Sequence, residues 1–186
     1  MKRLFAAIKI PVEPELEKLV EELQQQTKHD RIKWVNLENL HLTLKFFGET
    51  PEDRIDDICK QLDAATKVGC PFTMNINRIG VFGSSYKPRL LWLGIGDHPD
   101  LFQLWKNIIE NLKTIDIHSD RQNFVPHITL GRINKLVDKK KFSSSIETLK
   151  TSYQKDVFVN GISLYNSTLA PEGPVYDVIQ KFEFKQ

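Results

Sequence analysis

The chain has 186 residues, of which 40% are hydrophobic and 27% charged, with a net charge of +2. These values argue against a disordered chain, a collagen and a coiled coil, and against wholesale coating of nucleic acid, although a local basic groove is compatible with them. Two cysteines, Cys59 and Cys70, are too few for a disulfide framework. No apolar run approaches about 20 residues, and the N-terminal run is too short and too soon charged for a signal peptide. We therefore expect a reduced, cytoplasmic protein without a membrane span. A monomer is expected as well, although these observations do not determine the oligomeric state.

Hydrophobic periodicity predicts alternating strands and helices in the first half. Residues 4–10 form an apolar run ended by Pro11, which is typical of a strand buried on both faces. Leucine and valine recur at 16, 19, 20 and 23, a spacing that predicts a helix over 13–26. Thr50 is expected to cap a second helix, with Pro51 at its first position. Strands are predicted at 33–35, 41–47 and 72–79.

The second half repeats this order of elements. A turn at 83–88 leads to a strand at 90–95, and the clearest helical spacing in the sequence follows over 99–113. The remaining predicted elements are a strand at 127–133, a helix at 138–153, a strand at 157–164, a turn at 170–174 and a strand at 175–184.

A constant offset relates the two halves. His41 and His127 lie 86 residues apart, and so do Phe72 and Phe158. The same offset aligns residues 3–5 with 89–91 and the first helix with the third. The repeat predicts a bilobal α+β protein with pseudo-twofold symmetry, built from duplicated β-α-β-α-β halves whose antiparallel-rich sheets surround a central cleft. We expect one domain over 1–186, with repeats at 3–83 and 89–168 and a closing strand at 175–184.

The repeated strand motif carries the candidate chemistry. The segments at 41–44 and 127–130 read His-Leu-Thr-Leu and His-Ile-Thr-Leu. Because strand side chains alternate between faces, His41 and Thr43 share one face, and so do His127 and Thr129. Two imidazoles supply an acid and a base near neutral pH, and two hydroxyls donate to anionic oxygens. This set suits metal-free attack of water at phosphorus, and symmetry alone leaves open which histidine is the acid.

Other catalytic sites fit the sequence less well. A zinc site needs three or four clustered ligands, whereas each motif has threonine where a second ligand would stand. A serine hydrolase needs a glycine-flanked serine elbow, and a nucleotide triphosphatase needs a glycine-rich phosphate loop; neither is present. We therefore expect no metal and no cofactor. The other three histidines, His29, His98 and His118, are expected on the surface or in loops.

The two motifs resemble the two-histidine phosphoesterase superfamily, specifically the RNA 2′,3′-cyclic phosphodiesterases, also called 2′-5′ RNA ligase-like proteins. The first signature reads Asn-Leu-His-Leu-Thr-Leu-Lys-Phe-Phe-Gly at 39–48, and the second reads Phe-Val-Pro-His-Ile-Thr-Leu-Gly-Arg at 124–132. The resemblance runs nearly end to end. The chain departs from the family pattern near its end, where Asn166 and Ser167 stand in place of a Glu-Ser pair.

The resemblance implies a metal-independent RNA 2′,3′-cyclic 3′-phosphodiesterase that hydrolyses the cyclic phosphate of RNA ends or nucleotides to a 2′-phosphomonoester. On this interpretation His41 is the proton donor to the leaving 3′ oxygen and His127 is the proton acceptor from water. Thr43 and Thr129 hold the non-bridging phosphate oxygens. Ligation of 2′-5′ RNA is the same chemistry in reverse. The alternative from a different class is a nucleotide-binding or RNA-end-binding module that has lost turnover.

Arg132 is assigned to the phosphate by the resemblance, since guanidinium groups bind phosphate in a fork. Strict alternation from His127 places Arg132 on the opposite face, so this role requires a bulge or bend, which Gly131 would permit. Further candidates for binding RNA are aromatic residues that stack on bases and basic residues that line a rim. They are Phe82, Tyr86 and Tyr176, and Lys28, Arg31, Lys33, Lys45, Lys87 and Arg89.

Overall fold

The computed structural model describes residues 1–84, 86–118, 123–171 and 173–185. These residues form nine strands and four α-helices. The strands are β1 (Lys2–Lys9), β2 (Arg31–Trp34), β3 (His41–Thr50), β4 (Phe72–Gly83), β5 (Pro88–Ile95), β6 (His127–Lys135), β7 (Lys155–Val159), β8 (Gly161–Ala170) and β9 (Gly173–Glu183). The helices are α1 (Pro14–Gln26), α2 (Ile55–Lys67), α3 (Pro99–Lys113) and α4 (Lys139–Leu149).

All nine strands join one antiparallel sheet. Its order is β7-β4-β5-β6-β3-β1-β8-β9, and β2 pairs with β6 beside this path. The predicted α+β class is confirmed. The two antiparallel sheets expected for the two halves are continuous with each other, because β3 pairs with β6 through Leu42 and Ile128. The junction between the halves is therefore the place where the two histidine strands meet.

The four helices bury their apolar sides against one face of this sheet. The main core joins Leu4, Ala6 and Ile8 of β1 with apolar side chains from every helix. On the opposite face, Phe5 and Ala7 form a small second cluster with Tyr165. Strand β1 is therefore buried on both faces, as its continuous apolar run predicts. No helix within the described ranges is long and apolar enough to cross a membrane.

The predicted strand at 157–164 is divided in two by Asn160. β7 pairs with β4 at one margin of the sheet, whereas β8 pairs with β1 and β9 near the other margin. Because one residue joins β7 to β8, the sheet must curl until its margins approach each other. The rings of Phe72 and Phe184, from these opposite margins, lie 6.1 Å apart. Period-2 alternation continues through such a break, so the sequence pattern alone does not reveal it.

Thr50 does not cap the second helix, so this expectation was wrong. Thr50 is the last residue of β3, and its hydroxyl donates to the Gly48 carbonyl at 3.1 Å. A short 3₁₀ turn over Glu52–Arg54 then precedes α2. The predicted turns at 83–88 and 170–174 contain Ser85 and Glu172, which lie outside the described residues.

The pairing registers refine the repeat. His41 and His127 keep the predicted offset of 86, but the residues opposite them are Lys9 and Gly94, which lie 85 apart. The buried positions of the first and third helices also match at 85, as Leu16 matches Leu101. The offset of 86 predicted for these elements was therefore one residue too long. A single residue matters in a strand because it exchanges the two faces.

Candidate functional site

The register of β3 against β6 brings the two motifs together. Leu42 pairs with Ile128 in an antiparallel arrangement, so His41 lies opposite Thr129 and Thr43 lies opposite His127. Leu42 and Ile128 are fully buried in the core. Because side chains alternate along a strand, the two histidines and two threonines share the other face of the sheet. This face is referred to below as the cleft face.

Each histidine is fixed by the backbone two residues before it. The Nδ1 atom of His41 lies 2.7 Å from the Asn39 carbonyl, and that of His127 lies 2.8 Å from the Val125 carbonyl. A carbonyl oxygen only accepts hydrogen bonds, so Nδ1 carries the proton in both rings. Nε2 is then the unprotonated nitrogen in each neutral ring, and it makes no hydrogen bond to the backbone of the residues that the structure describes.

Aromatic rings restrict the motion of both imidazoles. The ring of Phe5 is 4.8 Å from that of His41, and Tyr176 meets the same imidazole edge-on at 5.4 Å. Phe82 contacts His127 edge-on at 4.9 Å. Two of the three proposed stacking residues, Phe82 and Tyr176, therefore contact the histidine motifs. The third, Tyr86, is 83% exposed.

Burial lowers the pKa of His41 below its ordinary value. The hydrogen bond to Asn39 opposes this shift, while the positive charges of Lys9 and His127 add to it. Lys9 lies directly opposite His41 in the neighbouring strand, and it donates to the Glu38 carbonyl. The pKa of Lys9 is itself lowered by burial, against the attraction of Glu38. The free protein therefore favours a neutral imidazole at His41.

A β-bulge turns Arg132 towards the cleft face. Trp92 pairs with Thr129 and Leu91 pairs with Gly131, so Leu130 is an extra residue in β6. Leu130 and Gly131 are both buried, and the exposed Arg132 returns to the face of Thr129. Strict alternation therefore failed here. Burial raises the pKa of the Tyr176 hydroxyl, and the positive charges of Arg132 and Arg3 oppose this rise. Arg132 therefore acts on Tyr176, in agreement with its position on the cleft face.

The same bulge occurs in the first histidine strand. Thr43 pairs with Ala7 and Lys45 pairs with Ala6, which leaves Leu44 as the extra residue. The residue corresponding to Arg132 is therefore Phe46. Lys45 is buried with 6% of its surface exposed and does not belong to a basic rim. Lys33 pairs directly with Arg132 and stands beside it on the cleft face.

A cavity of about 270 Å³ opens beside His41, and sequence reasoning did not identify it. Its walls combine aromatic and basic side chains from β1, β8 and β9. Strand alternation puts Phe5 and Lys9 on one face of β1, but the approach of β8 and β9 requires the curl of the sheet. The lining residues are Phe5, Lys9, Glu38, Asn39, His41, Ser163, Tyr165, Tyr176, Val178 and Lys181.

Three further sets of polar groups bear on the chemistry of the site: the other histidines, the possible metal ligands and the two threonine hydroxyls. His98 is partly buried, stacks near Phe72 at 5.1 Å and contacts the Thr73 carbonyl, while His29 and His118 are exposed. Within the described ranges, no three His, Cys, Asp or Glu side chains group closely enough to hold a metal ion. In the same ranges the hydroxyls of Thr43 and Thr129 bond no other protein group, which leaves both available to a ligand.

Comparison with known proteins places this cleft in a family. The model of the LigT-like phosphoesterases matches residues 8–92 and 95–176, and each range contains one histidine motif. An RNA 2′,3′-cyclic phosphodiesterase of Methanocaldococcus jannaschii is 36% identical, over 97% of this chain and 99% of its own. The enzyme of that name from Thermotoga maritima is 31% identical over 98% and 96%. The crystal structure of TT0787 from Thermus thermophilus superposes with a TM-score of 0.77 at 26% identity, over 98% and 97%. The chain therefore belongs to the LigT-like phosphoesterase family.

Proposed function

We propose that this protein hydrolyses the 2′,3′-cyclic phosphate of RNA ends or nucleotides to a 2′-phosphomonoester. The observation that carries the proposal is the antiparallel pairing of Leu42 with Ile128, from which His41 falls opposite Thr129 and Thr43 opposite His127. A phosphorus atom centred over these four residues has one imidazole on each side. In-line attack at phosphorus needs a base on the side of the incoming oxygen and an acid on the side of the leaving oxygen. The names of the Methanocaldococcus and Thermotoga relatives support the substrate class.

His127 is proposed as the base and His41 as the acid. His127 Nε2 takes a proton from water as the water oxygen attacks phosphorus. His41 Nε2 gives a proton to the 3′ oxygen as its bond to phosphorus breaks. The products are a ribose 3′-hydroxyl and a 2′-phosphate, and the two imidazoles exchange protonation states with solvent before the next turnover.

The low pKa of His41 is relevant to its role as an acid. An acid must hold its proton when substrate is bound, whereas burial and Lys9 favour the neutral ring in the free protein. A cyclic phosphodiester carries one negative charge, and this charge opposes that of Lys9 when it sits beside His41. Substrate binding therefore raises the pKa of His41 towards the protonated form that catalysis requires.

Three groups are proposed to hold the non-bridging phosphate oxygens. Thr43 and Thr129 donate from the floor of the cleft, and Arg132 reaches the same face through the bulge in β6. The negative charge on these oxygens changes its distribution as the pentacoordinate transition state forms. Hydrogen-bond donors that are already placed for the charge distribution of the transition state lower the activation barrier of hydrolysis.

The test is hydrolysis of cytidine 2′,3′-cyclic phosphate, followed by ³¹P NMR, in the presence and absence of a chelator. We expect chelator-resistant turnover with the 2′-phosphate as the product and a bell-shaped dependence of kcat/KM on pH. A 3′-phosphate product or loss of activity with chelator would contradict the proposed mechanism. Binding without any product would instead support a nucleotide-binding module.

Ligation is the same ring opening with the 5′-hydroxyl of a second RNA in the place of water: the 5′ oxygen bonds to phosphorus, its proton goes to His127, and the bond from phosphorus to the 3′ oxygen breaks. Incubating the protein with an RNA 2′,3′-cyclic phosphate and a 5′-hydroxyl oligonucleotide compares water and RNA as acceptors in one reaction. The ratio of 2′-5′-linked product to 2′-phosphate gives their balance.

A further inference from the structure

The two histidines have different surroundings, although their strands are related by an approximate twofold axis. The cavity of about 270 Å³ lies on the side of His41. Lys9 and Ser163 belong to its lining: Lys9 pairs with His41, and Ser163 pairs with Ala7 in the same strand as Lys9. Ala7 in turn lies opposite Thr43.

The pairing registers identify the corresponding residues beside His127. Gly94 pairs with His127 as Lys9 pairs with His41. Trp92 pairs with Thr129 as Ala7 pairs with Thr43, and Gly80 pairs with Trp92 as Ser163 pairs with Ala7. An alanine, a serine and a lysine on the His41 side are thus replaced by a tryptophan and two glycines on the His127 side.

The indole of Trp92 lies directly over the two glycines. A Cβ atom at Gly80 would stand 2.3 Å from Cζ2 of this indole, and one at Gly94 would stand 2.6 Å from Cζ3. Phe82 packs against the same ring at 4.8 Å, and the Arg78 guanidinium lies over it at 5.8 Å. Gly80 is therefore required by the close approach of the indole, and Gly94 by that of the indole together with the Arg78 side chain, whose Nε atom would also stand 2.6 Å from the added Cβ. The indole occupies the space that corresponds to the cavity beside His41.

We infer that Trp92 fills the nucleoside-sized space beside His127, so that the nucleoside binds beside His41 and a small hydroxyl compound reaches phosphorus from the His127 side more readily than a bulky one such as the 5′-hydroxyl of an RNA. The inference rests on the proposed function and extends it to the choice of acceptor. It also gives a structural reason for the roles of the histidines, since the leaving 3′ oxygen stays attached to the ribose and must lie on the side that holds the nucleoside.

Phe5, Tyr165 and Tyr176 provide apolar surface for a sugar and base in the cavity. Lys9 and Lys181 provide positive charge for the phosphate that precedes this nucleotide in an RNA. On the other side, water donates its proton to His127 and its oxygen bonds to phosphorus. An alcohol follows the same course and leaves an alkyl 2′-phosphodiester with a free 3′-hydroxyl, and a bulky alcohol is hindered by the indole.

The first experiment compares two acceptors in competition with water. Cytidine 2′,3′-cyclic phosphate is incubated in methanol–water or glycerol–water mixtures, and the ratio of 2′-ester to 2′-phosphate is measured by ³¹P NMR. Trp92→Ala is expected to raise the glycerol-to-methanol ratio of ester yields about tenfold, a typical effect of pocket size on discrimination. The matched control is Trp105→Ala, which removes an indole of α3 that stacks on Phe124. This variant is expected to leave the ratio unchanged.

An unchanged ratio in Trp92→Ala would overturn the inference. Because removal of the indole changes the packing of β5, Trp92→Phe is measured as well and is expected to give an intermediate ratio. The ratio compares products formed by the same enzyme molecules, so a loss of folded protein does not alter it. If the wild-type protein yields no product in water, the proposed function fails. If it yields product and the glycerol-to-methanol ratio is the same in Trp92→Ala and in the wild-type protein, only the inference about Trp92 fails.

A second experiment closes the cavity beside His41. Ser163 is 8% exposed and corresponds to Gly80, so Ser163→Phe fills this side with an aromatic ring. We expect the ratio of kcat/KM for cytidine 2′,3′-cyclic phosphate to that for glycerol 1,2-cyclic phosphate, which lacks ribose and base, to fall about tenfold. An equal loss for both substrates would contradict the assignment of the nucleoside to this side.

Discussion

Leu42 lies opposite Ile128 where β3 meets β6, and both side chains are fully buried. This apolar pair fixes the register of the two strands, since a slip by one residue would turn the polar side chains towards the core. The same pair joins the two halves of the sheet. The packing of the core and the position of the four polar groups therefore have a common cause.

Replacing either histidine by asparagine is expected to abolish most turnover and leave the fold intact. His41→Asn and His127→Asn keep an amide donor for the backbone carbonyl that each ring contacts, but asparagine does not titrate. The loss in kcat on cytidine 2′,3′-cyclic phosphate should be about 100-fold or more for each variant. Thermal unfolding monitored by circular dichroism checks the fold, and the exposed His29→Asn serves as the control. A variant with near wild-type kcat would remove that histidine from the mechanism.

The motif and the strand alternation were sufficient to predict that the two histidines and the two threonines share one face of the sheet. His41 and Thr43 are two residues apart in a strand whose other face is leucine, and the second motif repeats this pattern. Local sequence determines such a face because each residue of a strand rotates by half a turn. The elements of the main core were predicted for the same reason.

Features that depend on distant strands could not be predicted from these patterns. The bulge that redirects Arg132 is defined by its partners in β5, and the cavity beside His41 exists because β8 and β9 curl onto β1. The offset between the halves also changes by one residue, from 86 at the two histidines to 85 at Lys9 and Gly94, which pair with them. This change is a property of the strand pairing. The sequence supplied one signal for the bulge, Gly131, as a residue that would permit it.

Arg132→Ala is expected to lower kcat/KM for the cyclic phosphate about 10- to 100-fold, because a charge-assisted bond to phosphate is lost. Arg132→Lys should recover only part of this activity, since an ammonium group lacks the planar fork of guanidinium. Steady-state kinetics at several salt concentrations measures both variants. Lys135→Ala, an exposed cation farther along β6, controls for loss of general positive charge. Equal kinetics for Arg132→Ala and the wild-type protein would return Arg132 to the role of a surface residue.

Lys9→Met is expected to raise the pKa of His41. Burial is the main cause of the lowered pKa, and the positive charge of Lys9 adds to it by disfavouring the imidazolium. Removing that charge stabilises the protonated ring, so His41 should hold its proton to a higher pH than in the wild-type protein. NMR titration of the imidazole Cε1–H resonance gives the pKa directly, without dependence on substrate binding.

The matched control for this titration is Lys141→Met, since Lys141 is an exposed lysine in α4. It changes the net charge equally and should leave the titration of His41 at its wild-type position. A pKa of His41 that is the same in Lys9→Met and in the wild-type protein would show that the charge of Lys9 does not contribute to the shift.

Gly80→Ala is expected to destabilise the protein by about 1–3 kcal/mol, the usual cost of overpacking. The added methyl group would meet the indole of Trp92 at 2.3 Å, so the penalty should belong to this pair of residues. A double-mutant cycle with Trp92→Ala, followed by urea denaturation, separates the pairwise free energy from the individual effects. The cost of Gly80→Ala should fall sharply once the indole is absent. In the Trp105→Ala background it should remain at its full value, because that indole lies on α3. If the cost is the same in all three backgrounds, the contact between Gly80 and Trp92 does not explain the glycine, and backbone freedom in β4 would have to explain it instead.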